Sequence, residues 1–349
     1  MKKTLFFTML AAALAGGQVF ADFIPTAVDG YKEKTSFSYY GVRENSGEAK
    51  DANVTVSASE PGSDLSNANV YGGSAGTAAA NNKITMNGGQ VKSLYGGDGK
   101  TTVSGNTVIM TGGKVTSLLN GGHSTANKTE LVTPLVEKNV VIVAGDCEIT
   151  GQLHGGYSSH GDAMNNKVYL VGKGATATIA DAQGSTSKYD GGSITLKTVC
   201  AGTGEGTLAN NSIDIYGTGI TASSHVEDMQ VLNFHISQNQ IGGEDSMLTL
   251  TSYGMVLNNV TIGIQDVDVQ AWTPGTTVTL VQAKKVITGI ESGKEVDIMR
   301  DDKVVAKGQL VLSNDDKTLS LSIPGSVPEP TTGTLGLLAL AGLCIRRRK

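Results

Sequence analysis

The sequence predicts an all-β chain whose body is a parallel β-helix or solenoid, and three observations carry that expectation. Glycine is abundant, at 46 of 349 residues, where roughly 7% is usual. Charged residues make up 17% and aromatics 5%, against a usual charged share of about 25%. Short alternating apolar runs recur between paired glycines. Gly, Asn, Ser and Thr are poor helix formers, and apolar residues at period two mark a strand with one buried face. Seven prolines and no three-residue glycine period exclude collagen. The composition excludes a long coiled coil, and Val, Ile and Leu throughout the chain argue against full disorder.

The chain starts with the basic Met1-Lys2-Lys3, an apolar run over 5–17, and Val19-Phe20-Ala21. This order reads as a signal peptide over 1–21, a short helix cut after Ala21 by signal peptidase. The apolar run is too short for a good transmembrane span. Residues 22–52 hold Tyr31, Phe37, Tyr39 and Tyr40 and are expected to form an N-terminal cap or a disordered lead.

Residues 53–225 repeat a loose unit: an Asn, alternating apolar residues, one or two Gly, a second short strand, and often Gly-Gly. The clearest copies run over 82–97 and 106–122, with a third from Asn139 to Gly155-Gly156 and weaker ones from Asn53, Asn166 and Asn211. Irregular steps around a constant strand core suggest a solenoid with variable loops. Glycine is expected to supply positive φ at the corners, where Asn also tolerates left-handed backbone. Stacked strands lie about 4.8 Å apart, so Asn on Asn would form a hydrogen-bonded ladder. The inward columns should contain Ile84, Met86, Val91, Val108, Met110, Val115, Val141, Val143, Val168, Leu170, Ile213 and Ile215. A β-sandwich would more readily show hairpin signals and buried aromatics than doubled Gly in register. Tyr71-Gly72-Gly73 and Tyr95-Gly96-Gly97 make this body resemble autotransporter-like passenger regions, although no translocation barrel follows.

Residues 226–325 have less glycine, and strands are expected at 230–236, 247–251, 260–264, 277–281, 303–311 and 318–323. Asp301-Asp302 and Asn314-Asp315-Asp316-Lys317 read as turns. This part is expected to be a C-terminal capping β-domain, or the closing coils, because a solenoid must block its open edges.

Residues 326–349 carry Val327-Pro328-Glu329-Pro330, an uncharged Leu-rich stretch over 331–345, and Arg346-Arg347-Arg348-Lys349. As a helix the stretch spans about 22 Å, short of the roughly 30 Å hydrocarbon core. The basic run should stay cytoplasmic, so a transient inner-membrane contact through this short hydrophobic helix is expected. These residues resemble the PEP-CTERM sorting signal. The resemblance implies a bacterium with an outer membrane and processing near Pro328-Glu329-Pro330 by exosortase, a membrane protease.

Between residues 22 and 330 there are 21 Lys and Arg against 32 Asp and Glu, a formal charge of −11, with Arg43 and Arg300 the only arginines. Such a surface is a poor candidate for nucleic acid or anionic lipid. Gly96-Gly97-Asp98-Gly99-Lys100-Thr101 lacks the first glycine of a phosphate loop, because position 94 is Leu. His154, His160 and Asp162 lie close in sequence without a recognised ligand spacing, so no metal or cofactor is expected and the histidines read as solvated. His123, His225 and His235 stand isolated. No Gly-x-Ser-x-Gly elbow occurs. Asp146 and Glu148 form a close carboxylate pair on one strand face, but no catalytic residues are expected. Thr176-Ala177-Thr178 occurs once, too little for an ice-binding ladder. Cys147 and Cys200 are permitted a disulfide by an oxidising envelope, yet they occupy different repeat positions, which favours two buried thiols. The expected function is that of a non-catalytic surface or extracellular-matrix protein, an adhesin for glycans or a matrix polymer. The competing reading is a carbohydrate-active β-helix enzyme, a lyase or hydrolase.

Overall fold

A computed structural model describes residues 26–59, 63–129 and 132–324. Among these residues the chain is nearly all β, with a single 3₁₀ turn at Gln238–Gln240. Most strands join one large, mostly parallel sheet, and six short strands form a second. Ala21, Val327, Pro328, Glu329, Pro330, Arg346, Arg347 and Arg348 lie outside the described residues, as do both expected terminal helices. Among the described residues no helix is long and apolar enough to cross a membrane.

The register follows the apolar alternation. Lys83–Gly99, Thr107–Ser124 and Val140–Ser158 pair in parallel. Ile84, Val108, Val141, Val168 and Ile213 align as one column, and Met86, Met110, Val143, Leu170 and Ile215 as another. Val91, Val115 and Ile149 form a third. All twelve expected core residues belong to one buried cluster. Truncating such a side chain to Ala costs about 2–5 kcal/mol. The short strands Ala78–Ala80, Thr102–Ser104 and Leu135–Glu137 pair in parallel on a separate face, burying Ala79, Val103 and Val136.

The turn into each unit places one residue in the left-handed region and the next inside. Asn81, Gly105, Lys138, Asn165 and Asn210 have φ of 54–63°, and Asn82, Asn106, Asn139, Asn166 and Asn211 behind them are fully buried. Each buried amide donates Nδ2–H to the Oδ1 of the next, at 2.9–3.1 Å, and Asn211 donates to Oε1 of Gln230. Asn53 does not start this line: it pairs beside Lys83 and is exposed. Ala52 holds the equivalent place and donates its N–H to Asn82 Oδ1 at 3.1 Å, because the left-handed turn falls on Asp51.

The two kinds of paired glycine have different causes. Gly89 and Gly113 have φ of 83° and 95°, a conformation that suits glycine. Gly73, Gly97, Gly122 and Gly156 do not; a Cβ there would strike the amides of Asn82, Asn106, Asn139 and Asn166. These glycines therefore serve close approach, not the positive φ expected from the sequence.

The step from Asn166 to Asn211 contains an antiparallel hairpin, Thr176–Ala180 against residues 186–190. It lies on the outer face, where Ala177, Ile179 and Tyr189 cover Ile109, Val140, Ile142, Ala144 and Val171. Parallel pairing runs on past residue 226 through Val231–Ile236 and Thr261–Asp266 to Ile298. The pairing then turns antiparallel through Lys294–Arg300, Lys303–Leu312 and Thr318–Ser322. Asp301 and Asp302, with φ of 49° and 59°, make the expected turn. At the other end Thr26–Asp29 pairs antiparallel with Asn53–Ala58, and Glu33–Lys34 with Ser38–Glu44.

Candidate functional site

The same register that buries the apolar columns lines up polar and aromatic residues outside. Tyr40, Tyr71 and Tyr95 fall in one column, their rings stacked at 4.9 and 4.7 Å. Burial pushes the Tyr71 and Tyr95 hydroxyl pKa values up. The column continues as Asn120 and His154. Beside it Asp98, His123 and Tyr157 align; His123 Nδ1 meets Asp98 Oδ1 at 2.7 Å and its ring stacks on Tyr157. His123, His154 and Tyr157, with Leu118, Asn120 and Gln152, line a cleft of about 160 Å³.

His154 is not the solvated residue expected from its Gly/Ser surroundings. It is buried, its Nδ1 lies 2.8 Å from Asn120 Oδ1, and burial, with His123 nearby, lowers its pKa to about 4. His160 and Asp162 are held elsewhere, by Ser159 Oγ and the Thr207 N–H respectively. Among the described residues no group of three or more His, Cys, Asp and Glu is placed to hold a metal.

Nor are His123, His225 and His235 isolated. His225 packs against Tyr253. His235 stacks on Tyr216 at 3.8 Å, and its Nε2 lies 2.9 Å from Asp214 Oδ1. Asp214 is buried and also accepts hydrogen bonds from Asn233 Nδ2 and Ser212 Oγ. The partners of Asp214 lie two to twenty-one residues from it, so only the stacking register brings the distant ones together. Tyr216 and His235 floor a second cleft of about 400 Å³, between the inserted hairpin and the 3₁₀ turn.

Asp146 and Glu148 share a strand face, as expected, but each has a partner. Asp146 Oδ1 accepts the Ser193 N–H at 2.8 Å, and Glu148 pairs with Lys114 Nζ at 2.9 Å. Arg43 pairs with Glu33, and Arg300 with Asp266, whose side chain is fully buried. Cys147 and Cys200 are free and buried, with burial pushing both thiols up to about 12. Cys147 aligns with Ile194 and Cys200 with His154, which sets them in different columns.

Residues 326–349 match the PEP-CTERM protein-sorting motif. That motif marks an exported protein sorted to the cell surface by exosortase-type machinery. The match does not reach the repeat body, so the autotransporter likeness remains one of sequence. Comparison with curated proteins and with solved structures finds no match.

Proposed function

We propose that this exported chain is a non-catalytic surface or extracellular-matrix protein, an adhesin, whose body is a parallel β-helical solenoid. The observation that carries the reading is a sorting motif at 326–349 following a body of parallel, in-register units. Stacking makes every outward position a column, so one polar residue type becomes a long strip of contacts. The half-buried Tyr40, Tyr71, Asp98, His123 and Tyr157 of these columns supply such a strip, and glycans or a matrix polymer are its partners. Mature residues 22–330 are held at the cell surface in this reading, after exosortase removes the tail.

A carbohydrate-active enzyme is the second reading, and the Asp214–His235 pair beside a cleft favours it. A buried carboxylate orients an imidazole for proton transfer in many hydrolases. Here Ser212 bonds to the carboxylate and not to the imidazole, so no nucleophile follows the pair in line.

The deciding experiment incubates the purified exported protein with a panel of immobilised and soluble polysaccharides, scoring both retention and cleavage. Retention without cleavage supports the adhesin. Turnover lost in Asp146→Ala, Glu148→Ala or His235→Ala replaces it with the enzyme.

A further inference from the structure

We infer that the cleft between the inserted hairpin and the 3₁₀ turn binds an uncharged, hydroxyl-rich ligand, a neutral glycan. This inference rests on the adhesin reading and assigns it one site. The hairpin itself builds the cleft. It covers the outer column as far as Val171, and the next two residues of that column, Tyr216 and His235, form the cleft floor beyond it. The 3₁₀ turn makes the opposite wall. Asn239 Nδ2 donates to the Gly174 carbonyl at 2.9 Å and straps the walls together. The resulting cleft of about 400 Å³ falls in the usual range for small-molecule sites and is already formed.

Four residues lining the cleft each keep one polar atom in reserve. Asp268 Oδ1 accepts the Gln238 N–H at 2.8 Å, leaving Oδ2. Gln238 Oε1 accepts the Gln270 N–H at 2.9 Å, leaving Nε2. His235 Nε2 is held by Asp214, leaving Nδ1, and the Tyr216 hydroxyl is the fourth. None of these atoms is among the buried polar atoms that lack a partner. With a neutral His235 donating its Nε2–H to Asp214, Nδ1 accepts, and together they offer two acceptors, one amide donor and one group that does both. A sugar hydroxyl also donates and accepts, so neighbouring hydroxyls match this alternation. The lining itself contains no Lys or Arg, and the carboxylates of Asp268 and, behind His235, Asp214 disfavour a phosphate or uronate there. Ala175 and Val267 supply apolar wall for the C–H face of a sugar ring.

The test places the exported protein on an array of neutral hexose oligosaccharides, uronate oligosaccharides and amine-bearing ligands. The best neutral binder is then titrated by calorimetry. Tyr216→Phe and Asp268→Asn each remove one polar match and should weaken binding about three- to tenfold, with an unchanged melting temperature. Lys50→Gln, an exposed change on the separate short-strand sheet, should leave affinity as it is. Neutral-glycan binding that ignores both cleft variants overturns this site but leaves the adhesin reading standing. A preference for uronates or amines overturns the ligand class. Failure to bind any glycan removes both the site and the adhesin.

Discussion

Asn139 shows how much one side chain carries. Its Nδ2 donates to Val103 O and Asn166 Oδ1, and its Oδ1 accepts from both the N–H and Nδ2 of Asn106. Asn139→Ala strands these groups in a buried interior. It should lower the unfolding free energy by about 2–4 kcal/mol, read from urea denaturation. Gly122→Ala should cost a comparable amount because its Cβ meets the same amide, whereas Gly47→Ala has nothing nearer than 3.9 Å to meet and should be near neutral. His154 adds a pH dependence. Its folded pKa near 4 lies below the ordinary 6.5, so the unfolded chain takes up the proton first as pH falls. Stability is therefore full above about pH 6.5, declines to about pH 4, and loses roughly 3 kcal/mol in between. Thermal melts across that range should show the decline in the native protein and a flatter curve in His154→Gln. The amide ladder was legible in the sequence as recurring Asn, apart from the shift from Asn53 to Ala52. The histidine environments were not, because Asn120 and His154 are 34 residues apart and no local pattern joins them.

At the scale of elements, the inserted hairpin is an appendage to the stack. Gly145 pairs with Gly191 across its base, so the parallel register reaches the next unit without it. Its hold is the apolar contact of Ala177, Ile179 and Tyr189, Lys83–Asp181 at 2.9 Å, and hydrogen bonds from the Ala182 N–H to Thr107 Oγ1 and from Gln183 Nε2 to the Gly105 carbonyl. Ile179→Asp should release the hairpin, which limited proteolysis would detect as new cuts within residues 172–191. The melting temperature should change little. A large fall in melting temperature would show that the hairpin belongs to the core. The sequence marked this insertion by the 45-residue step between Asn166 and Asn211, and Thr176-Ala177-Thr178 is one of its strands, with Ala177 inward. Its docking was illegible, since it depends on outward Ile109, Ile142 and Val171 sitting opposite it. Strand Lys294–Arg300 also escaped the sequence reading, because only Ile298 of its seven residues is buried.

For the whole molecule, export and sorting separate cleanly from folding. Deleting residues 327–349 removes nothing from the described body, so the truncated protein should be exported, soluble and lost from the cell surface. Mass spectrometry of the native surface protein should find residues 346–349 missing; their persistence would indicate a plain anchor. The all-β, mostly parallel character was readable because alternation and glycine pairs fix the register, while the antiparallel ends depend on which strands close the stack. That stacking also governs how the molecule would answer a pull between its two ends. Each unit is held to the next by a ladder loaded in peel, so units should detach one after another. Every detachment converts a layer about 4.8 Å thick into free chain. With 24, 33, 27 and 45 residues between successive ladder asparagines, each release adds about 80 to 150 Å of extended length. The body is then a set of sacrificial links of unequal length, giving way in steps before the covalent chain is drawn tight.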